Sequence, residues 1–436
     1  MPIRFSIFIL ILTFAFSPVY AQDNTVSHPA DNLLFKIAIY GPSDEIFIWW
    51  GHAALIVENT RWNFSRVFDW GVFSYPGDSF LKDFISERVR YKVTEGRLDL
   101  DIYIEEDRDI TIYTLDLDRQ VKETILSYAE NKVLPDNCYY DYHEFRDNCS
   151  TGVRDILNLG LGGQLKTATG NITGRFGIRQ HVRRFTWFRP FSDWFLGILM
   201  GRNLDEKITV WDEMFLPVEI ARNITDFTYI DDSGRERKLV SSARIFNASK
   251  NRPPVLNEPI PTWPFALMAG IIAAVLLLLL HAMRKKYPRP GRILWGLSQS
   301  LFGLFLGGAG CVLVFGLYFM NNDYIQRNIN ILFVNPLLLA AAPLGILSAL
   351  NKPFSSINPE KCLRVIWTYV FIMCGITALF RFLPLFSQLN QSVQGIVLPV
   401  AFAFSRIHEK TRGFNVIIRN LKESRYGKNT DIKSGI

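Results

Sequence analysis

The sequence has few of the residues that build metal sites. It holds 5 cysteines and 6 histidines in 436 residues. No CxxC motif occurs and no two histidines have the spacing of zinc ligands, so we expect no metal and no cofactor. Three of the cysteines lie in or beside apolar segments, where a cysteine usually serves as a small packing residue. These three are Cys311, Cys362 and Cys374.

A basic stripe suited to DNA or RNA is also lacking. The net charge is +7, but much of the excess lies after Arg284, in the loops and tail of the second half. Basic residues beside apolar runs indicate membrane orientation rather than nucleic-acid binding. We therefore expect no nucleic-acid partner.

The first 21 residues have the parts of a secretory signal peptide. Arg4 provides a charged start, an apolar core runs from Phe5 to Phe16, and Val19-Tyr20-Ala21 places small residues at the cleavage position. The core is short for a transmembrane helix, which needs about 20 residues. We predict a cleaved signal peptide over 1–21, with an uncleaved anchor as the alternative. Either places the following residues outside the cytoplasm.

A proline-rich stretch divides the rest of the chain. Four prolines between Asn251 and Pro261 disfavour a helix and predict an extended linker over 251–262. Residues 22–250 have mixed polarity and are predicted to form an exported domain. Apolar runs dominate after the linker.

Apolar runs predict an all-α membrane domain over 263–405, with about five transmembrane helices. The predicted spans cover about 263–283, 294–319, 331–350, 365–385 and 391–405. If the first domain is exported, the basic loops at 284–292 and 351–364 and the basic tail at 406–436 all lie in the cytoplasm. This arrangement satisfies the positive-inside rule.

Hydrophobic patterns predict an α+β exported domain. Leu33–Tyr40 and Ala53–Val57 are apolar and β-prone, and Arg66–Phe73 alternates as a strand that pairs antiparallel with the second of them. Asp118 can cap an amphipathic helix that follows it. We expect an antiparallel sheet with flanking helices.

Cys149 and His52 are the candidate catalytic pair. Cys149 precedes the amphipathic stretch Ser150–Leu159, which places it at a helix N-terminus that Asp147 or Asn148 can cap. The unpaired N–H groups and the dipole there lower a thiol pKa and can hold an oxyanion. A thiol also needs a base, and His52 stands at the start of a predicted strand.

Each residue of the pair has a structural alternative. Cys149 could be a buried packing residue or could form a disulfide with Cys138, in which case it could not be a nucleophile. His52 could be a core histidine. His143, six residues before the cysteine, competes for the role of base, and His181 is expected at the surface.

Asp69 is the candidate for the third catalytic group, which orients the imidazole. It lies centrally on the strand that is predicted to pair with the one after His52. Because the sequence does not show the register of that pairing, Asp69 remains a candidate.

An arginine-rich segment over 175–194 alternates with aromatic residues. It could be a solvated helix with an aromatic packing face. It could also be a patch that contacts anionic lipid headgroups, with the aromatic side chains at the membrane interface. The sequence does not choose between them.

Motifs in both halves of the chain carry a family resemblance. They are Trp50-Gly51-His52, Phe68–Phe73, Tyr142–Thr151 with Arg154-Asp155, Trp211–Pro217 and Phe333–Leu337. Together they resemble the Lnb family of bacterial lipoprotein intramolecular transacylases, over most of the chain. Ser150 stands where we expect threonine more often.

The resemblance implies a permuted papain-like fold for the exported domain, with Cys149 as nucleophile and His52 as its base. It implies that the thiolate takes an acyl chain from the diacylglyceryl group of a lipoprotein and passes it, through a thioester, to the amine of the lipoprotein's terminal cysteine. The implied partners are membrane lipids and lipid-modified protein N-termini. The implied location is the bacterial inner membrane, with the N-terminal domain on the extracytoplasmic side.

Further residues in or near the motifs are candidates for substrate binding or oxyanion stabilisation. They are Trp50, Tyr142, Asp147, Asn148, Ser150 and Arg154. Two other functions stay open: hydrolysis of lipid or peptidoglycan by the same Cys/His pair, and a non-enzymatic membrane receptor or assembly protein.

Overall fold

The computed structural model describes residues 28–73, 90–320, 324–352, 358–383 and 386–406. The predicted signal peptide lies outside the described residues, as does the predicted basic tail beyond Arg406. Both stay predictions.

An antiparallel sheet organises the N-terminal half. The strands are β1 (Leu33–Tyr40), β2 (His52–Asn59), β3 (Phe64–Phe73), β4 (Arg90–Arg97), β5 (Ile110–Leu115), β6 (Tyr139–Asp141), β7 (Thr173–Gly177), β8 (Lys207–Thr209), β9 (Thr228–Ile230), β10 (Glu236–Lys238) and β11 (Val240–Asn247). The main sheet has the order β11-β5-β1-β2-β3-β4-β6, and β9 with β10 and β7 with β8 form two small ribbons. The predicted antiparallel pairing of β2 with β3 is confirmed.

Helices pack on both faces of this sheet. They are α1 (Asp101–Glu105), α2 (Arg119–Lys132), α3 (Cys149–Gly160), α4 (Gln164–Thr169), α5 (Ile178–Thr186), α6 (Pro190–Leu199), α7 (Val210–Glu213) and α8 (Pro217–Thr225). As predicted, α2 begins after Asp118, whose carboxylate accepts the Val121 N–H at 2.9 Å. Burial of apolar side chains from β2, β3, α2 and α3 in one core fixes these elements together. The predicted α+β class is confirmed.

A helical region follows the coil over 248–262. It contains α9 (Trp263–Lys286), α10 (Pro288–Phe319), α11 (Ala341–Leu350), α12 (Pro359–Phe380) and α13 (Gln391–Ser405). Four segments among the described residues are long and apolar enough to cross a membrane, the third being Ile329–Leu350. The fifth predicted span corresponds to α13, whose 15 residues extend only about 22 Å, against a hydrocarbon core of about 30 Å.

The third predicted span is not one continuous α-helix. Residues 329–332 and 336–340 form 3-10 turns, and the α-helix begins only at Ala341. The break lies at Asn335, whose side chain accepts the Leu337 N–H at 3.2 Å, and at Pro336, which lacks an N–H of its own. The apolar composition of this segment does not indicate the break.

One helix of the N-terminal half packs into the helical region. Trp194 and Ile198 of α6 belong to the core formed by α9, α10, α12 and α13. The last carbonyls of α6 accept hydrogen bonds from Asn328 and Asn330, at 2.8–3.1 Å. Carbonyls at a helix C-terminus have no partner within the helix, so these two side chains satisfy them. The segment between α10 and α11, which the predicted orientation puts outside the cytoplasm, thus contacts the N-terminal half.

A close approach at Gly310 gives a test of this packing. A Cβ atom on Gly310 of α10 would lie 2.4 Å from the Cα atom of Asn335, whereas one on Gly308 of the same helix would meet nothing within 4 Å. We expect Gly310→Ala to lower the free energy of unfolding by about 1–3 kcal/mol through overpacking. Thermal unfolding of the full chain in detergent measures this. Gly308→Ala should leave stability unchanged or slightly higher, and equal effects of the two substitutions would contradict the close packing.

Candidate active site

Cys149 is the first residue of α3, as the sequence predicts. Asn148 is the N-cap: its side-chain oxygen accepts the Thr151 N–H at 2.9 Å, and the Thr151 hydroxyl accepts the Asn148 N–H at 2.7 Å. The Asn148 amide also donates to the carbonyls of Glu144 and Phe215. The cap therefore fixes the backbone directly before the thiol.

The sheet register brings Asp69 to His52. Asp69 on β3 lies opposite Ala54 on β2, two residues after His52, so the histidine and the aspartate lie diagonally on one face. Nε2 of His52 is 2.7 Å from Oδ1 of Asp69. A β-bulge follows Asp69 on this strand. The arrangement gives the imidazole a fixed orientation.

His52 and Cys149 lie close enough for each side chain to shift the pKa of the other. Because Nε2 is engaged by Asp69, Nδ1 is the ring nitrogen left for the thiol. The backbone N–H of Ala53 also lowers the pKa of the thiol. The structure therefore joins Cys149, His52 and Asp69 in one connected group. Cys149 and Cys138 are both free thiols, so the alternative disulfide is not formed.

The pKa values of this pair shift in opposite directions. Burial raises the pKa of the Cys149 thiol, but the charge of His52, its hydrogen bond and the Ala53 N–H outweigh burial and hold that pKa below its usual value. Burial lowers the pKa of His52, but the charges of Asp69 and Cys149 outweigh it and raise that pKa well above its usual value. Both shifts favour a thiolate–imidazolium pair near neutral pH.

Aromatic side chains surround the sulfur. Tyr142 stacks on Tyr91 with ring centroids 4.0 Å apart, and burial followed by the charge of Cys149 raises the pKa of Tyr142. Burial and the same charge raise the pKa of Tyr140. Gly71, at φ +87°, lies in the β-bulge that follows Asp69. A Cβ atom on Gly71 would come within 3.5 Å of both Cys149 and Tyr142. These phenols are therefore near enough to the thiol for its charge to affect their titration.

The other sequence candidates fall into different places. Ser150 is buried beside Cys149 and Asp147 is exposed. Arg154 is buried, with its guanidinium 4.1 Å from the centre of the Trp211 ring and hydrogen-bonded to Asp155. Trp50 packs in an apolar cluster with Phe145 and Phe215. Among the six candidates, Asn148 contributes to the site through the cap of α3.

Three tyrosines and a glycine of this neighbourhood were not singled out from the sequence. The tyrosines are Tyr40, Tyr91 and Tyr140. Tyr40 on β1 pairs with His52 on β2 and stacks on its ring. The three tyrosines lie far apart in the sequence or on a strand that looks exposed. Gly71 carries the one usable signal, since a glycine inside an alternating strand suggests a bulge. The sequence shows the glycine but not what it faces.

Two arginines of the arginine-rich segment are buried in ion pairs, so a fully solvated helix face is wrong for them. Arg179 pairs with Asp205, and Arg184 pairs with Glu219 at 2.5 Å, all of these side chains being buried or nearly so. The prediction that His181 is at the surface is wrong: it is fully buried, 3.0 Å from Glu213. The acidic partners come from other elements, so the segment alone could not reveal these pairs.

His143, the alternative base, faces the helical region. Its ring packs edge-on against Tyr324, with centroids 5.4 Å apart, and its Nδ1 accepts the Phe145 N–H at 3.2 Å. The Tyr324 hydroxyl also hydrogen-bonds to Glu144. The loop before Cys149 thus rests on a residue of the helical region. Across the described ranges, no group of three or more His, Cys, Asp or Glu side chains could hold a metal ion.

Comparison with known proteins identifies the N-terminal half. Residues 29–184 match the family model of the Lnb N-terminal periplasmic domain. The resemblance found in the sequence is therefore confirmed over residues 29–184, and four candidate membrane helices follow this domain. No curated protein and no solved structure matches the chain.

The pH dependence of Cys149 alkylation tests the site electrostatics. Because His52 holds the thiol pKa down against burial, His52→Ala should move the midpoint of iodoacetamide alkylation upward, above the ordinary thiol value of about 8.5. At pH 7 the rate should fall at least about tenfold. Rates between pH 5 and 10, with the adduct located by peptide mass spectrometry, provide the measurement. His143→Ala is the matched control and should leave the midpoint in place; the reverse pattern would make His143 the partner.

Proposed function

We propose that this membrane protein with an Lnb N-terminal periplasmic domain is a cysteine acyltransferase. It moves an acyl chain from the diacylglyceryl group of a bacterial lipoprotein, through a thioester on Cys149, to the lipoprotein's N-terminal amine. The observation that carries the proposal is the connected group of Cys149, His52 and Asp69, at the N-terminus of α3. The family match supports lipoproteins as the substrate class.

In the first step the thiolate attacks an ester carbonyl of the lipid. The first N–H groups of α3 have no partner within the helix, so they can stabilise the oxyanion that forms. The ester C–O bond then breaks, and the imidazolium of His52 gives its proton to the leaving glyceryl oxygen. An acyl thioester on Cys149 and a monoacylglyceryl lipoprotein result.

In the second step the α-amine of the same lipoprotein attacks the thioester. His52, now neutral, accepts the proton that the amine loses, and the thiolate leaves. Asp69 keeps the imidazole in one orientation and stabilises its charged form through both steps. The products are an N-acylated lipoprotein and free enzyme, so neither an oxidant nor a cofactor is consumed.

The arrangement of elements supports a permuted papain-like fold for this domain. A cysteine at a helix N-terminus packs against an antiparallel sheet that presents the histidine and its carboxylate partner. The histidine strand β2 precedes the cysteine helix α3 along the chain, the order expected of a permuted form. The four candidate membrane helices and the match to a periplasmic domain support a location in the bacterial inner membrane.

The position of the site suits a substrate that is anchored in a bilayer. Tyr324 of the helical region contacts the loop that ends at Cys149, and Trp50, two residues before His52, lies in the same apolar cluster as Tyr324. A lipid ester at the membrane surface would therefore have a short path to the sulfur. Membrane lipids and lipid-modified N-termini are the proposed partners.

Mass spectrometry of a lipoprotein amino terminus tests the proposal. Cells lacking this gene are complemented with wild type, Cys149→Ala or the control Cys138→Ala, which removes a thiol outside the site. Wild type and Cys138→Ala should give an N-acylated, monoacylglyceryl terminus. Cys149→Ala should leave a diacylglyceryl terminus with a free amine.

Three other results would contradict the proposal. Identical termini in all strains would remove the transacylase function. Release of free fatty acid without N-acylation, dependent on Cys149, would make the protein a hydrolase in which water replaces the amine. Full activity of Cys149→Ala would indicate a non-enzymatic protein.

A further inference from the structure

A cavity of about 390 Å³ lies at the end of the helical region that is far from the periplasmic domain. The C-terminal end of α9, the start of α10, the residue after α11, the start of α12 and the residue after α13 meet around it. The α9 helix begins beside the periplasmic domain, where Thr262 hydrogen-bonds to Asp193, and its 24 residues extend about 36 Å to the cavity. The cavity is therefore on the cytoplasmic side.

The lining of the cavity is strongly basic. Arg284, Lys285, Arg292 and Arg406 line it, and Glu360 is the acidic residue among the lining side chains. Glu360 pairs with Arg284 and, at 3.6 Å, with Arg406. Among the described lining residues, one carboxylate faces four cations, so these side chains carry a net positive charge.

The hydrogen bonds of the lining also leave donor capacity. The Nη1 atom of Arg284 is buried and finds no hydrogen-bond partner among the residues that the structure describes. Arg292 uses Nε to reach the carbonyl of Ala349, at 3.3 Å. A guanidinium has five N–H donors in a planar fork, a geometry that matches phosphate oxygens.

We propose that this cavity binds the phosphate group of an anionic ligand. Its volume lies in the range of small-ligand sites, about 300–1,000 Å³, and is large enough for a phospholipid headgroup. Basic pockets between transmembrane helices on the cytoplasmic side suit anionic headgroups. Because a headgroup and a soluble phosphate present the same oxygens, the experiment separates the two sources.

Two neighbouring lysines provide a matched pair of variants. Lys285 lines the cavity and Lys286 does not, yet both lie in the same basic turn and contribute equally to membrane orientation. Arg292 and Arg289 form a second such pair. Each variant replaces one basic side chain with glutamine. A lining variant and its control therefore lose the same charge at neighbouring positions.

The first arm measures lipid retention. Full-length protein is titrated with phosphatidylglycerol or phosphatidylethanolamine in micelles, and bound lipid is counted by native mass spectrometry. Wild type should retain phosphatidylglycerol in preference to phosphatidylethanolamine. Lys285→Gln and Arg292→Gln should each weaken retention about fivefold, as expected for the loss of one basic residue at an anionic headgroup, while Lys286→Gln and Arg289→Gln retain the wild-type affinity.

The second arm measures stabilisation by inorganic phosphate against chloride at matched ionic strength, as a shift in melting temperature. A shift that Lys285→Gln and Arg292→Gln remove, without selective retention of phosphatidylglycerol, assigns the site to a soluble phosphate. The proposal is overturned if, in both arms, the lining variants behave like their controls. Equal melting temperatures of the variants without ligand show that they fold. This site is independent of the chemistry at Cys149.

Discussion

The site depends on the imidazole of His52, because this side chain connects strand β2 to strand β3 and to helix α3. Its strand partner Asp69 is brought near by the antiparallel register of β2 and β3, and a slip of one residue would turn that carboxylate to the opposite face of the sheet. Its other partner, Cys149, is held by the packing of α3 on β3. Gly152 permits that packing, since a Cβ there would lie 2.5 Å from the Trp70 ring. Register and packing together make a thiolate–imidazolium pair possible.

The helical region contributes to this geometry as well as anchoring the domain. Asn328 and Asn330 complete the hydrogen bonds at the end of α6, so the periplasmic domain is fixed by directional contacts as well as by apolar burial. Tyr324 hydrogen-bonds to Glu144, whose carbonyl in turn accepts a hydrogen bond from the N-cap residue Asn148. A short series of contacts thus connects the helical region to the residue before Cys149. An enzyme acting on a lipid ester would need its sulfur placed where the periplasmic domain meets the helical region.

Local signals predicted the features that depend on neighbouring residues in the chain. The strand at Leu33–Tyr40, the helix cap at Asp118 and the position of Cys149 at a helix N-terminus follow from alternation and capping, and the structure has all three. The features that the sequence did not reveal depend on distant partners. The surface position predicted for His181 was wrong because Glu213, which it contacts, lies on another helix. Asp69 could be only a candidate because a register is decided by the whole sheet.

We propose that Cys149 carries the acyl group as a thioester, and intact mass spectrometry of the full-length protein can detect that adduct. A diacylglyceryl lipopeptide with its α-amine acetylated can donate an acyl chain but cannot accept one, so the first step proceeds without the second. Wild type should gain the mass of one acyl chain, the adduct should map to Cys149, and neutral hydroxylamine should remove it as it does a thioester; Cys149→Ala should gain nothing. The absence of any adduct on Cys149, under conditions in which the unblocked lipopeptide is converted, would rule out the thioester intermediate.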